Sequence, residues 1–292
     1  VSYQQVEPGY FSVTTPVRPY QLGEDRLWGD LHLTYDLEAP LHVGSGGIRL
    51  EQFDDGSSDI VSDLVRARRG HDGDDEPVIS GSSLKGAARV VFEALTGSCD
   101  PFGRPCRSCA ACQVFGSTGR RGLVAFGEAR TQGEFELTDM KIRQRFGGKS
   151  SSGRRDPASV TRRFYHRAGE QSVAQDQESL LCVPEGARFA GSLTVLGADS
   201  ATLGAVLIAL GMTSDIGRFR VGGGKNRRLG IVRVSISGAR VATSLANLRV
   251  AADRSGDQIQ PQAKQWVSAA RTAFRDLQRV ADKLRDRYSE GG

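Results

Sequence analysis

Apolar and polar positions alternate strictly from Leu31 to Glu38. Leu31, Leu33, Tyr35 and Leu37 fall on one side, and His32, Thr34, Asp36 and Glu38 on the other. A period of two predicts a strand with one buried face. From Leu84 the period lengthens. Leu84, Ala87, Ala88, Val91, Ala94 and Leu95 recur at helical spacing and stop at Thr96-Gly97, which predicts a helix behind the Gly-Ser-Ser turn, with Ser82 or Ser83 as its N-cap. Further strands are predicted over Leu123–Ala129, Phe189–Leu196 and Ile231–Ile236, and a helix over Thr202–Leu210. Trp266, Ala270, Phe274, Leu277, Val280 and Leu284 share one face of Lys264–Tyr288, predicting one long amphipathic helix. Its polar face mixes both charge signs, which suits docking on its own domain or on a neighbouring subunit rather than on a membrane. Strand–helix–strand order, twice over, predicts an α+β, ferredoxin-like domain with long insertions.

The stretches between these elements read less clearly. Residues 1–27 carry Pro8, Pro16 and Pro19 and no sustained period, so they are expected to be an irregular N-terminal extension. Leu41 to Gly47 is a glycine-rich turn. Residues 48–77 read as a long acidic loop, since Glu51 to Glu76 holds nine acids against Arg66, Arg68 and Arg69. The opposite sign is concentrated from Lys141 to Arg167, with nine Lys/Arg and one acid, Asp156. The chain's net charge is +5, so its basicity is local, as a contact with a polyanion would require. No apolar run approaches the roughly 20 residues of a membrane span, and no signal pattern opens the chain. We therefore expect a soluble cytoplasmic protein.

Three constellations carry candidate chemistry. Cys99, Cys106, Cys109 and Cys112 are four of the chain's five cysteines. Thiolates at this spacing can converge on one centre, and four of them close a tetrahedral zinc shell, which makes a structural Zn2+ site the expected use. An iron–sulfur cluster is the competing reading. Secondly, Val78–Arg89 puts orphan amides, Ser82, Ser83, Lys85 and Arg89 at a helix start, which suits an anion, although an ordinary capped helix has the same sequence. Thirdly, Gly222, Gly223 and Gly224 let backbone approach a phosphate while Lys225, Arg227 and Arg228 supply charge. A plain hairpin tip is the alternative, and the loop lacks the Gly-Lys-Ser/Thr ending of an NTPase. Among the acids of the 48–77 loop, Asp63 has the most apolar flanks, Ile60-Val61-Ser62 and Leu64-Val65, so its carboxylate is the best positioned to orient a hydroxyl or hold Mg2+. His32, His42, His71 and His166 form no metal or triad pattern.

Taken in order, Leu41-His-Val-Gly-Ser-Gly46, Ser62-Asp-Leu64, Ile79-Ser-Gly-Ser-Ser-Leu-Lys-Gly-Ala-Ala-Arg89, Ala111-Cys-Gln-Val-Phe-Gly-Ser117 and Gly222-Gly-Gly-Lys-Asn-Arg-Arg-Leu-Gly230 resemble the backbone subunits of type III CRISPR effector complexes, the Cas-seven group of the RAMP superfamily. The resemblance runs from about Trp28 to Ser237. It implies an RNA-recognition-motif-like palm over 28–240 with a zinc knuckle at 99–117 and a thumb hairpin at 138–180, followed by a linker and helix over 241–292. It further implies binding of CRISPR RNA, pairing with a target RNA, and assembly with copies of itself or related RAMP subunits and with other type III effector subunits. Ser82, Ser83, Lys85, Arg89 and the 222–228 loop would hold the guide, and Arg143, Arg145, Arg162 and Arg163 would line the thumb. Asp63, with Asp59 as the alternative, matches the aspartate that cleaves target RNA with Mg2+ or Mn2+, by attack of a ribose 2′-hydroxyl on the adjacent phosphate at nucleotides displaced by the thumb.

A catalytically inactive backbone subunit fits the same residues. A guide-maturing endoribonuclease would want a histidine general base, and a zinc-bearing DNA-binding regulator would want a helix-turn-helix or finger spacing. The sequence displays neither.

Overall fold

The structure, a computed structural model, describes residues 10–52, 58–68, 75–100, 105–143, 159–165 and 177–289. The first half of the chain is strand-rich: β1 (Tyr10–Pro16), β2 (Leu27–Leu37), β3 (Gly44–Gln52), β4 (Ser58–Leu64), β5 (Arg66–Arg68) and β6 (Asp75–Ile79) lead into helix α1 (Gly81–Thr96). Then come α2 (Ala110–Val114), β7 (Val124–Phe126), β8 (Ala129–Gln132), β9 (Thr138–Arg143), β10 (Ser159–Tyr165), β11 (Gln177–Cys182), β12 (Arg188–Ala198) and α3 (Ser200–Ala209). The chain closes with β13 (Phe219–Arg220), β14 (Ile231–Ala242), α4 (Leu245–Leu248), β15 (Arg254–Ser255), α5 (Gly256–Ala273) and α6 (Leu277–Ser289).

The main sheet follows from the alternation in β2. Leu31, Leu33, Tyr35 and Leu37 are all buried, and β2 lies between β12 and β14, antiparallel to both. The sheet order is β13-β14-β2-β12-β8-β6-β5, with β7 also paired to β12 and β15 to β14. Gly29 allows the tight pairing of β2 with β14: its φ is +134°, and a Cβ there would meet the Arg240 carbonyl oxygen at 1.9 Å.

Helix α3 is apolar on every side, and Thr202 to Ala209 are all buried, as expected for a helix covered on all faces. It packs between α1 and α5. The crossing with α5 is close because Gly204 has no side chain: a Cβ would lie 1.9 Å from the Trp266 carbonyl oxygen. Substituting Gly204→Ala must therefore push two helices apart. We expect a loss of about 1–3 kcal/mol, the usual range for overpacking, read as a lowered thermal midpoint. A midpoint equal to wild type would show that the helices separate without cost.

Several expectations need correcting. Residues 10–16, read as irregular, form β1, which pairs with β10 in a two-stranded sheet from Tyr10↔Tyr165 to Pro16↔Ser159. Pro16 is tolerated because it sits at the end of the strand. The supposed acidic loop contains β3, β4, β5 and β6. β3 and β4 pair antiparallel, and β4 runs parallel to β11 in a sheet ordered β3-β4-β11-β9. The alternation there is short, Ile48-Arg49-Leu50-Glu51, and its apolar positions, with Ile60 opposite, are exposed rather than buried. The N-cap of α1 is Ser80, whose hydroxyl accepts from the Ser83 amide at 3.3 Å, rather than Ser82 or Ser83. Gly81 joins the first turn because the chain passes so near the Phe126 carbonyl that a Cβ would clash at 2.2 Å.

The C-terminal helix is two helices. α5 starts at Gly256 behind a Ser255/Gln258 capping box, and Phe274 leaves helical geometry with φ −105° and ψ 97°. Its ring stacks on Tyr20 at 4.8 Å and meets Phe92 edge-on at 6.4 Å. Aromatic packing at that point outweighs continuation of the helix.

Candidate metal centre and nucleic-acid interface

The four knuckle cysteines converge as their spacing predicts. Their sulfurs all lie within 4.8 Å of one another. Cys99 and Cys112 sulfurs are 3.4 Å apart, and Cys109 and Cys99 sulfurs 3.7 Å. These distances are too long for disulfides and close to the roughly 3.8 Å edge of a tetrahedron with zinc–sulfur bonds of about 2.3 Å. The Cys109 amide donates to the Cys106 sulfur at 3.2 Å, which favours a thiolate acceptor. Burial pushes the Cys99 and Cys112 thiols up. At Cys106 burial works the same way, but hydrogen bonds from Cys109 and Ser108 outweigh it and bring the thiol down to about 6. Four sulfurs of mixed acidity at this range fit a divalent cation, and they can hold a zinc ion. Cys182 stands apart, buried with Leu180 and Leu229.

The knuckle is fastened to its surroundings by a buried charge cluster. Glu93, at the end of α1, accepts from the Arg89 guanidinium at 2.7 Å and from that of Arg162 at 3.0 Å. Arg162 also donates to the Ser98 and Cys99 carbonyls at 2.8 and 3.0 Å. Burial raises the Glu93 carboxyl despite the pull of Arg162 and Arg89. Two residues expected to face RNA are thus committed inward. Arg162, with a side chain 7% exposed, ties β10 to the knuckle, and Arg89 also donates to the Gly116 carbonyl at 2.9 Å. The alternation of β10 decides this: Arg162 points to the same side as buried Phe164, and Arg163 to the exposed side. Arg145 and the side chain of Arg143 lie outside the described residues.

Around the two glycine loops, main-chain hydrogen bonds run in a row. The Gly223 amide donates to the His42 carbonyl at 2.7 Å, the Val65 amide to Val43 at 2.8 Å, and the Val78 amide to Val65 at 3.0 Å. Two residues later Ser80 caps α1. The 222–224 loop, residues 41–43 with the start of β3 (Gly44 to Gly47, expected as a turn, are strand), the end of β4 and the start of α1 therefore share one edge. Sequence reasoning gave His42 no role of its own. It sits where the glycine loops meet: Cβ atoms on Gly44, Gly222 and Gly223 would lie 2.8, 2.3 and 3.2 Å from its ring or carbonyl, and its Nδ1 bonds the Leu181 carbonyl at 2.8 Å. The only signal was its place inside a glycine-rich turn.

Asp63 lies on this edge, and the Ser45 hydroxyl donates to its carbonyl at 3.2 Å. Its Oδ1 accepts from the Leu64 amide at 2.8 Å and is 3.5 Å from an Arg66 nitrogen. That buried nitrogen makes no hydrogen bond. Asp59 is occupied otherwise. It accepts from Ser179 at 2.8 Å and lies 3.7 Å from the Lys141 ammonium, and these bonds, the Ser179 one foremost, hold its carboxyl below the usual range.

The cations of the edge are of two kinds. Lys85, on α1, has no acid partner among the described residues, and its ammonium is pulled down by burial and by the charge of Arg89. Lys225 is pulled down in the same way, by burial and Arg220. Arg228 is exposed and takes a left-handed conformation, φ 64°. Ser82 is exposed, while Ser83 is half-buried and accepts from Ser80 at 2.9 Å. A desolvated, unpaired ammonium favours an incoming anion.

The model of the RAMP superfamily matches residues 34–233, from within β2 to within β14, spanning the knuckle, both glycine loops and Asp63. No curated protein matches the chain. Among the described residues no helix is long and apolar enough to cross a membrane. A family match over well more than half of the chain, enclosing every element of the shared edge, places the protein: it belongs to the RAMP superfamily of CRISPR-associated RNA-binding proteins.

Proposed function

We propose that this chain is a backbone subunit of a type III CRISPR effector complex that binds CRISPR RNA and cleaves the paired target RNA. The observation that carries the reading is the shared edge, where two glycine loops, the start of α1, unpaired Lys85 and the Asp63–Arg66 pair lie in a row. The order β14-β2-β12-β8, with α1 and α3 in the two crossovers, supports a ferredoxin-like palm. Residues 138–180 remain our thumb, now without Arg162. Exposed Ile48, Leu50 and Ile60 on the β3–β4 hairpin support contact with another copy or a related subunit, since clustered apolar side chains on a surface mark association sites.

In this reading the guide phosphates lie over Ser82, Lys85 and Gly222–Arg228. Asp63 orients the 2′-hydroxyl of a displaced target nucleotide. Arg66, ion-paired with Asp63, places positive charge beside the reacting centre and stabilises charge as the phosphorane forms. Attack by that hydroxyl yields a 2′,3′-cyclic phosphate and frees a 5′-hydroxyl strand. A divalent ion, Mg2+ or Mn2+, would add further charge neutralisation at the phosphate, and Asp63 Oδ2, with no protein donor among the described residues, is the oxygen available to it.

The test is incubation of the assembled complex with matched target RNA and Mg2+. Wild type is expected to give regularly spaced cuts. Asp63→Ala should slow cleavage by about 10²–10⁴-fold, the range for a general acid–base group, with guide binding unchanged. Asp59→Ala should cut at nearly the wild-type rate. Persistence of cuts in Asp63→Ala removes that residue from the chemistry, and a wild-type complex that binds but never cuts would make the chain a purely structural backbone.

A further inference from the structure

We propose that the cysteine knuckle, beyond its structural role, carries a second RNA-phosphate contact formed by Arg107, Arg120 and Arg121. This rests on the RNA-binding reading above and adds to it a site away from the glycine loops.

The three arginines are exposed. None has an acid partner among the described residues. From residue 101 to residue 127 the chain holds four arginines and no Asp or Glu. Geometry gathers the three: Arg120 lies in a tight turn closed by reciprocal main-chain bonds with Ser117 at 2.8 and 3.0 Å, and its guanidinium reaches the Arg107 carbonyl at 3.4 Å. The same turn meets the RNA edge through the Arg89 bond to Gly116. Beside it the Ser117 hydroxyl is buried without a hydrogen-bond partner. Arg89 thus anchors the turn that carries Arg120 to the helix on which Ser82 and Lys85 stand.

Arg107 adds an independent observation. Its φ is +60°, a left-handed conformation in which a side chain costs roughly 1–2 kcal/mol and which glycine or asparagine adopts more easily. A turn between Cys106 and Cys109 made only to hold metal would be served by glycine. An arginine held there at a cost, next to two more, fits a ligand that uses its charge. The competing use is neutralisation of the metal site itself, because four thiolates on a divalent ion carry a net charge of about −2. The two uses separate in experiment, since one governs RNA affinity and the other metal retention.

The experiment uses full-length, zinc-loaded protein and an unstructured single-stranded RNA, with affinity followed across a salt series. Each phosphate contact on a single strand contributes about 0.7 to the slope of log K against log salt. For the triple variant Arg107→Gln, Arg120→Gln, Arg121→Gln we expect the slope to fall by about 2 with zinc content unchanged. Arg121→Glu alone, whose side chain makes no hydrogen bond or ion pair among the described residues, should weaken RNA binding and keep its metal. It carries the test even if the triple variant loses zinc. A guide–target duplex in a parallel arm distinguishes the strands: weakening with both ligands assigns the patch to the guide, and weakening with the duplex alone assigns it to the target. Unchanged slope and affinity in both variants would overturn the proposal while leaving RNA binding elsewhere intact. If wild type shows no salt-dependent RNA binding, the underlying reading falls and this one with it.

Discussion

Stripping the metal from the knuckle with a chelator, or replacing Cys112 with serine, lowers the thermal midpoint by about 10 °C. A ligand bound only by the folded state stabilises it by about 4 kcal/mol when present at 1,000 times its dissociation constant. At roughly 2–4 °C per kcal/mol for a chain of this size, the midpoint falls by that amount. The effect reaches beyond the knuckle because Cys99, Cys109 and Cys112 are buried and belong to the core cluster with Phe92 and Phe115, whose rings meet edge-on at 5.1 Å. Without a cation, the raised Cys99 and Cys112 thiols are protonated and the tetrahedral arrangement loses its centre. Metal uptake must displace those protons, so resistance to the chelator weakens as pH falls. Calorimetry of loaded and stripped protein, with metal content measured alongside, checks this. A stripped protein that melts with the loaded one would show that the four sulfurs hold no stabilising ion.

The second large effect is at Glu93. Substitution Glu93→Ala leaves Arg89 and Arg162 without their shared counter-charge in a buried site, at a cost of about 3–5 kcal/mol. Glu93→Gln keeps an acceptor for one of them and should cost less. Removing Arg162 together with Glu93, as Glu93→Ala with Arg162→Met, should recover part of the loss, because the more deeply buried of the two unpaired charges is gone while Arg89 remains. Because Arg162 also holds the Ser98 and Cys99 carbonyls, Glu93→Ala should in addition speed metal release to a chelator. Denaturant titration of Glu93→Ala, of Arg162→Met and of the double variant gives the coupling. Additive costs would mean that the pair contributes no interaction of its own.

This cluster shows where sequence reading stops. Arg89 and Arg162 stand 73 positions apart, and nothing local tells that both turn inward onto Glu93. A count of charge along the chain records a basic segment but not which of its members face solvent. In β10 the answer depends on the pairing with β1, itself a strand that three prolines in residues 1–27 concealed. The hairpin of β3 and β4 was hidden for a different reason: Ile48-Arg49-Leu50-Glu51 does alternate, but over only four residues and beside a run of acids that reads as loop. The break at Phe274 follows from Tyr20 and Phe92, both far away in sequence.

The four-cysteine centre, the start and stop of α1 to within a residue or two, the β2 alternation and the glycine loops were all legible in the sequence. Each is set by local physics: ligand spacing on a tight turn, helical or two-residue periodicity, and the backbone freedom of glycine. The tertiary structure alone decided that the 222–224 loop closes on His42, that Asp59 is spent on Ser179, that Arg162 turns onto Glu93, and that Arg120 reaches the Arg107 carbonyl on the knuckle. Those are juxtapositions of residues from separate strands and turns, created by sheet register and core packing, and a one-dimensional pattern carries no record of them.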